Sequence, residues 1–156
     1  MIDIRTFATL LAFSCAPCLM AGDDSWNKIR FIGGTIQAKG FDPYDWNTTL
    51  TVRSDGIVMT IGHRQTVRIP PVQVTAISYG QEAHRRVAEM VAVSAIIAPV
   101  ALFGLLHKGK DHFIGIEYRG DDGKTASVLL EADKNNYRVV LEALKTVTGK
   151  PVENAP

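Results

Sequence analysis

The sequence has few cysteines and no excess of charge of either sign. Both of its cysteines, Cys15 and Cys18, lie within residues 1–21. If that segment is removed, the remaining chain can form no disulfide and offers no cysteine ligand to a metal. The 17 basic and 16 acidic residues give a net charge of +1, so nothing global points to nucleic acid or another polyanion. We therefore predict no nucleic-acid partner.

Recognisable catalytic and cofactor motifs are also absent. No serine stands in a nucleophile elbow, no motif places a pair of carboxylates, and no glycine-rich turn opens a helix after a strand. Three of the four histidines, His84, His107 and His112, flank a central apolar run. Their spacing matches no zinc signature, although the three histidines would come close to one another if the two ends of the run lie side by side. The prediction is a non-enzymatic protein with no cofactor and no metal.

Residues 1–21 have the pattern of a secretory signal. Arg5 supplies one positive charge, an apolar stretch follows it, and Ala21 ends that stretch with a small residue. Cleavage there would leave a chain that begins at Gly22, and an uncleaved N-terminal anchor is the alternative. Export without a disulfide is typical of a bacterial envelope. We therefore expect an exported protein of the bacterial periplasm or envelope, associated with a membrane.

From Trp26 onward the chain alternates apolar and polar residues as strands do. Turn sequences such as Ser54-Asp55-Gly56 and Asp121-Asp122-Gly123 separate the alternating stretches, which favours an antiparallel sheet. The pattern predicts seven strands, around residues 28–32, 49–53, 57–61, 66–69, 75–80, 112–120 and 125–131.

An amphipathic helix is predicted near the C-terminus. Apolar residues recur there at helical spacing after Asp133, which is placed to cap the helix, and Gly149 marks its end. The apolar stripe consists of Tyr137, Val140, Leu141, Leu144 and Val147. Residues 151–156 are predicted to form a polar tail.

Seven strands followed by a helix that plugs an open barrel resemble the pleckstrin-homology-like fold. The stretch IPPVQVTAISYG at residues 69–80 is similar to the turn that enters the fifth strand in bacterial, GRAM-type members. The resemblance implies a mainly β, α+β domain over residues 26–150. A hydrophobic helical insertion, residues 87–106, would lie between strands five and six, as in small exported bacterial proteins that carry such a domain.

The uncharged run MVAVSAIIAPVALFGLL occupies residues 90–106. As one helix it would span roughly 26 Å, short of a bilayer core of about 30 Å, and Pro99 interrupts it near the middle. The strands on either side must pair in one barrel, which disfavours a single crossing. Three arrangements stay open. Two arms bent at Pro99 would dip into one leaflet, the run would lie along a membrane or against a second copy, or it would fold onto its own domain.

We expect this insertion and its flanks to contact membrane lipid or an envelope protein. Basic flanking residues would meet anionic head groups, and the apolar residues would enter the membrane or an interface. The predicted contact residues are Arg85, Arg86, Met90, Ile96, Ile97, Pro99, Leu102, Phe103, Leu105, Leu106, Lys108 and Lys110. Tyr44 and Trp46, in the loop after the first strand, either anchor at an interface, stack on a ligand or cover the barrel end.

The predicted function is that of a membrane-associated, non-enzymatic binding or scaffold module. The alternative is a soluble periplasmic homodimer that binds a ligand or a protein, with residues 87–106 buried at the dimer interface.

Overall fold

The computed structural model describes residues 24–42, 44–93 and 111–154. They form eight strands, two α-helices and one turn of 3-10 helix. In chain order these are β1 (Asp24–Gly34), β2 (Thr48–Arg53), β3 (Gly56–Ile61), β4 (Gln65–Ile69), the 3-10 turn (Pro71–Gln73), β5 (Val74–Tyr79), α1 (Gly80–Val93), β6 (His112–Arg119), β7 (Thr125–Ala132), α2 (Tyr137–Thr148) and β8 (Val152–Glu153).

The eight strands form one hydrogen-bonded sheet in the order β4-β3-β2-β1-β7-β6-β5-β8. The seven predicted strands are present, and the expectation of a mainly β, α+β domain is confirmed. The strand count of seven is wrong, because the predicted tail 151–156 contains β8. This strand runs parallel to β5, where Val152 and Glu153 pair with Ile77 and Ser78. It covers backbone groups that the edge of β5 would otherwise leave unpaired.

One face of the sheet bounds the main apolar core. Alternation along each strand turns every second side chain toward it, as with Ile29 and Phe31 on β1 and Ile114 and Ile116 on β6. Helix α2 covers this core with Leu144, which has no exposed surface. The predicted helical stripe is confirmed, since Tyr137, Val140, Leu141 and Leu144 are buried and Val147 packs partly buried against the core.

Helix α2 begins later than the sequence pattern predicts. The carboxylate of Asp133 accepts hydrogen bonds from the backbone and side-chain nitrogens of Asn135, at 3.0 and 2.8 Å. It therefore stabilises the preceding turn and is not the helix cap, so that prediction is wrong. Asn136 holds the cap position without a side-chain hydrogen bond. The predicted end is confirmed, because Gly149 adopts a left-handed φ of 66° and its amide donates to the carbonyl of Lys145 at 2.9 Å.

Helix α1 packs on the opposite face of the sheet, which we call the outer face. Neighbouring residues of a strand point to opposite faces, and Phe113 belongs to the outer cluster whereas Ile114 belongs to the main core. The outer cluster consists of Ile32, Ala83, Val87, Val91, Phe113 and Leu129. The predicted insertion 87–106 thus begins too late, since α1 starts at Gly80, directly after β5. Within the described ranges, no helix is long and apolar enough to cross a membrane.

Candidate functional site

The candidate site is the outer face of the sheet, where α1 lies. The helix leaves the end of β5, packs on β6 and β7, and contacts β1. Gly115 on β6 permits this close packing, because a Cβ atom there would lie 2.6 Å from Ser78 Oγ and 3.2 Å from Ala83 Cβ. The start of the insertion is therefore held firmly against its own domain.

Arg86 joins α1 to two strands. Its Nε donates to Glu117 Oε1 on β6 at 2.6 Å, and its Nη1 donates to Glu153 on β8. The side chains of Arg86 and Glu117 are 28% and 10% exposed, so water screens this pair poorly. Burial alone would lower the pKa of Arg86, but the hydrogen bonds and charges of the two glutamates outweigh it and raise that pKa.

Arg85 lies on the solvent side of α1 and pairs along the helix. Its guanidinium donates to Glu82 one turn before it and to Glu89 one turn after it, the latter at 2.8 Å. The hydrogen bond from Arg85 lowers the pKa of Glu82, and the hydrogen bonds to Glu82 and Glu89 raise the pKa of Arg85. Both predicted head-group contacts of α1, Arg85 and Arg86, thus have carboxylate partners within the domain.

Met90 is half-buried near the end of α1. It lines a shallow cleft of about 330 Å³ together with Arg86, Glu89, Val93 and Glu117. Val93, the last described residue of the helix, is 88% exposed. The described part of α1 therefore ends on an exposed apolar side chain, directly before the uncharged stretch 94–106.

The other predicted contact residues fall in the stretch 94–110, beyond the described parts of the chain. They are Ile96, Ile97, Pro99, Leu102, Phe103, Leu105, Leu106, Lys108 and Lys110.

Three aromatic side chains meet at the base of the insertion. Tyr79 ends β5, His112 begins β6 and Tyr137 begins α2. The imidazole of His112 lies 3.8 Å from the ring of Tyr137 between centroids, and its Nδ1 is 2.7 Å from the hydroxyl of Tyr79. Burial lowers the pKa of His112, although neighbouring carboxylates act in the opposite direction. The stack joins the strand that precedes the insertion to the strand that follows it.

His84 and His112, the two flanking histidines that the structure describes, lie in different surroundings. His84 lies on α1 and packs against Phe113 on the outer face, with ring centroids 5.7 Å apart. His112 packs against Tyr137, a residue of the main core on the other side of the sheet. His107 belongs to the stretch that is not described. In the described parts of the chain, no group of three or more His, Cys, Asp or Glu side chains is placed to hold a metal ion.

Tyr44 and Trp46 lie beside the outer face and are held by Arg30. The guanidinium of Arg30 is 4.4 Å from the centre of the Trp46 ring and donates to the carbonyl of Tyr44 at 3.1 Å. Its Nη2 also lies 2.5 Å from Glu131 Oε1 on β7. Tyr44 and Trp46 stay 61% and 43% exposed, so they do not serve mainly as a cover for the core. We call the segment that carries these two side chains, residues 44–46, the aromatic loop.

The sequence pattern indicated the aromatic loop but not the residues that hold it. A signal for Arg30 was present, since it stands between two core residues of β1 and must face outward. Nothing in the sequence indicated that Glu131 would be its partner, because the two residues lie far apart in the chain. The partners of Arg86 were missed for the same reason.

Comparison with known proteins gives information on the fold alone. No family model matches the chain, and no curated protein matches it. The fold is similar to that of the solved Spt16D–Pob3N heterodimer, with a TM-score of 0.50 and 11% sequence identity. The match covers 86% of this chain and 54% of that one, so this chain spans about half the length of its structural neighbour. The likeness supports a pleckstrin-homology-like fold.

Proposed function

We propose that this protein is a non-enzymatic binding module of a bacterial envelope that attaches to a membrane through the apolar run 90–106. The observation that carries the proposal is the placement of α1. The helix packs against the outer face of the sheet as far as Val91. Its last described residue, Val93, is 88% exposed. The uncharged sequence SAIIAPVALFGLL follows at once. An uncharged apolar sequence of this length, directly after an exposed apolar residue, favours an attachment site.

The charges around α1 favour an attachment that depends on apolar contact. Arg85 and Arg86 are paired with carboxylates, so they contribute little attraction to anionic lipids. A basic segment that is free to approach the surface gains roughly 1 kcal/mol per residue, and salt screens this gain. Insertion of apolar side chains is not screened in this way. Attachment is therefore expected to persist at high salt.

The strand pairing favours a run that leaves and returns on one side of a membrane. Strands β5 and β6, which precede and follow the insertion, are hydrogen-bonded neighbours, with Tyr79 opposite Ile114. A single crossing would place them in different compartments and break this pairing. A hairpin in one leaflet or a position along the surface keeps the sheet intact. The signal-like residues 1–21 support export as the route to that membrane.

The test is a vesicle flotation assay at low and high salt. A variant with Ile97→Asp and Leu102→Asp is expected to stay at the bottom of the gradient, because burying the two carboxylates in lipid is costly. The matched control is Val72→Asp with Val139→Asp, since it adds two carboxylates at valines that are 94% and 52% exposed, and it should float like the wild type. If the charged run variant floats as well as the wild type, the proposal is wrong.

A second candidate is a soluble homodimer with the run buried between two copies. The half-buried Met90 and the exposed Val93 beside it favour a protein surface here as well as a lipid surface. The Spt16D–Pob3N structure is itself a heterodimer, which is a property of that protein. Sedimentation without detergent separates the candidates. A soluble dimer that Ile97→Asp with Leu102→Asp dissociates, and that never floats with vesicles, would support the second candidate against the first.

A further inference from the structure

We infer that the aromatic loop, Tyr44 and Trp46, makes a second contact with the lipid–water interface, beside the point where the insertion re-enters the domain. This inference rests on the proposed membrane attachment and extends it to two residues that lie far from the apolar run in the sequence.

The strand register brings the loop and the returning chain together. On β1, Arg30 lies opposite Glu131 of β7, and the preceding residue of β1 lies opposite Ala132. Ala132 in turn lies opposite His112, the first residue of β6. The chain that follows the apolar run therefore returns at the end of the sheet where Arg30 holds Trp46.

The loop also belongs to the same face of the sheet as α1. Glu131 lies opposite Phe113 across β6 and β7, and Phe113 packs in the outer cluster with residues of α1. Arg30, the partner of Glu131, therefore lies next to the cluster that α1 covers. The loop therefore lies on the face of the sheet that α1 covers, at the end of the sheet where the chain re-enters β6.

The side chains of the loop suit an interface between water and lipid. Tyrosine and tryptophan combine an apolar ring with a polar group and are enriched at the level of lipid head groups. Arg30 packs against the ring of Trp46 and binds the backbone carbonyl of Tyr44. The Trp46 ring and the Tyr44 backbone are therefore held in advance, which lowers the entropy lost on binding.

The charges near the aromatic loop disfavour a strongly anionic lipid surface. Glu131 neutralises Arg30. Asp45 lies between Tyr44 and Trp46, and the carboxylate of the neighbouring Asp42 accepts a hydrogen bond from the amide of Tyr44 at 2.9 Å. The loop therefore has no net attraction for anionic lipid, and a zwitterionic surface is the expected partner.

Tryptophan fluorescence tests the contact directly, because the chain has only two tryptophans, Trp26 and Trp46. In the full chain, Trp26→Phe leaves Trp46 as the sole reporter. Phosphatidylcholine vesicles should shift its emission to shorter wavelength, and brominated acyl chains should quench it. Trp46→Phe leaves only Trp26, which packs against the main core, and its emission should not respond.

Partitioning measures the strength of the contact. The double variant Tyr44→Ala, Trp46→Ala should partition into phosphatidylcholine vesicles about tenfold more weakly than the wild type. The matched control is Val72→Ala with Val139→Ala, which removes two other exposed apolar side chains and should leave partitioning unchanged. All variants share the same leader and apolar run, so differences between them report on the loop.

The outcomes separate this inference from the proposed function. If the wild type binds vesicles while Trp46 emission stays unchanged, the inference is wrong and membrane attachment through the run stands. If the wild type binds no vesicles, both are overturned. If Trp46 responds to soluble glycan oligosaccharides but not to vesicles, the loop is a carbohydrate site and the lipid inference is wrong.

Discussion

Two neighbouring arginines on α1 should differ sharply in their contribution to stability. Arg86 pairs with Glu117 at 2.6 Å, and the side chain of that glutamate is only 10% exposed. Arg85 pairs with Glu82 and Glu89, which lie on the same exposed side of the helix. The substitutions Arg86→Met and Arg85→Met remove the same charge from adjacent positions. The difference between their effects on the free energy of unfolding therefore reports the effect of burial of the ion pair.

The expected loss in the free energy of unfolding for Arg86→Met follows from the burial of Glu117, the partner of Arg86. Exposed ion pairs contribute about 0–1 kcal/mol, whereas removing one partner of a buried pair costs about 3–5 kcal/mol. The pair of Arg86 and Glu117 lies between these cases, so we expect a loss of about 2 kcal/mol in the free energy of unfolding. For a chain of this length, that corresponds to a fall in Tm of about 4–8 °C. Arg85→Met should leave Tm almost unchanged.

A double-mutant cycle measured by urea unfolding checks the assignment. Arg86→Met combined with Glu117→Gln should cost clearly less than the sum of the single changes, because each single change leaves one partner without its counter-charge. The coupling to Glu153 should be smaller, since that side chain is 46% exposed. Equal losses for Arg85→Met and Arg86→Met, or no coupling between Arg86 and Glu117, would refute the role given to this pair.

Four further outcomes are expected. Gly115→Ala should lower the free energy of unfolding by about 1–3 kcal/mol in urea titrations, because its Cβ would push against α1, and a neutral effect would contradict the close packing. Leu144→Asp should cost at least about 3 kcal/mol by burying a charge in the core, and an unchanged Tm would exclude α2 as the cover of that core. Burial lowers the pKa of His112 below its ordinary value of 6.5, so folding favours the neutral imidazole; stability should be retained above pH 6.5 and fall as the pH drops toward the lowered pKa. His112→Gln should show a shallower fall in the same titration, and an identical slope would contradict the assignment. With Cys15 and Cys18 replaced, single cysteines at the exposed positions Gln81 and Lys124 should be labelled from the same side of a vesicle, and labelling from opposite sides would mean a split domain.

The sheet could be predicted from the sequence because its signals are local. Alternation and turn residues identified seven strands, and the stripe that contains Leu141 and Leu144 identified α2. β8 gave no such signal, since two residues, Val152 and Glu153, show no periodicity. The pairing that makes them a strand comes from Ile77 and Ser78, distant in the chain.

The start of α1 was missed for a different reason. Its first three turns contain Glu82, Arg85, Arg86 and Glu89, which make the stretch look like a polar linker when hydropathy is averaged. The helical period is present in the buried residues Ala83, His84, Val87 and Val91, but it is narrow. Only the outer face of the sheet shows that this narrow stripe has a partner.

The candidate site was predicted in part. The basic and aromatic residues were identified from the sequence, but the carboxylates that bind the arginines were not. Arg85 and Arg86 were expected to face lipid head groups because a sequence shows charges without their partners. Glu117 and Glu153 become partners of Arg86 only after β6 and β8 are placed beside α1. The same applies to Arg30 and Glu131 beneath the aromatic loop.

The contacts around α1 bear on the proposed attachment, because they hold both described ends of the insertion against the domain. The insertion joins the domain at two points, α1 and the start of β6. On α1, Arg86 binds Glu117 on β6 and Glu153 on β8, and β8 is itself paired with β5. At the start of β6, the ring of His112 stacks on Tyr137 of α2. Both described ends of the insertion are thus held by contacts to several elements, so we expect the domain to stay folded if the run attaches as proposed.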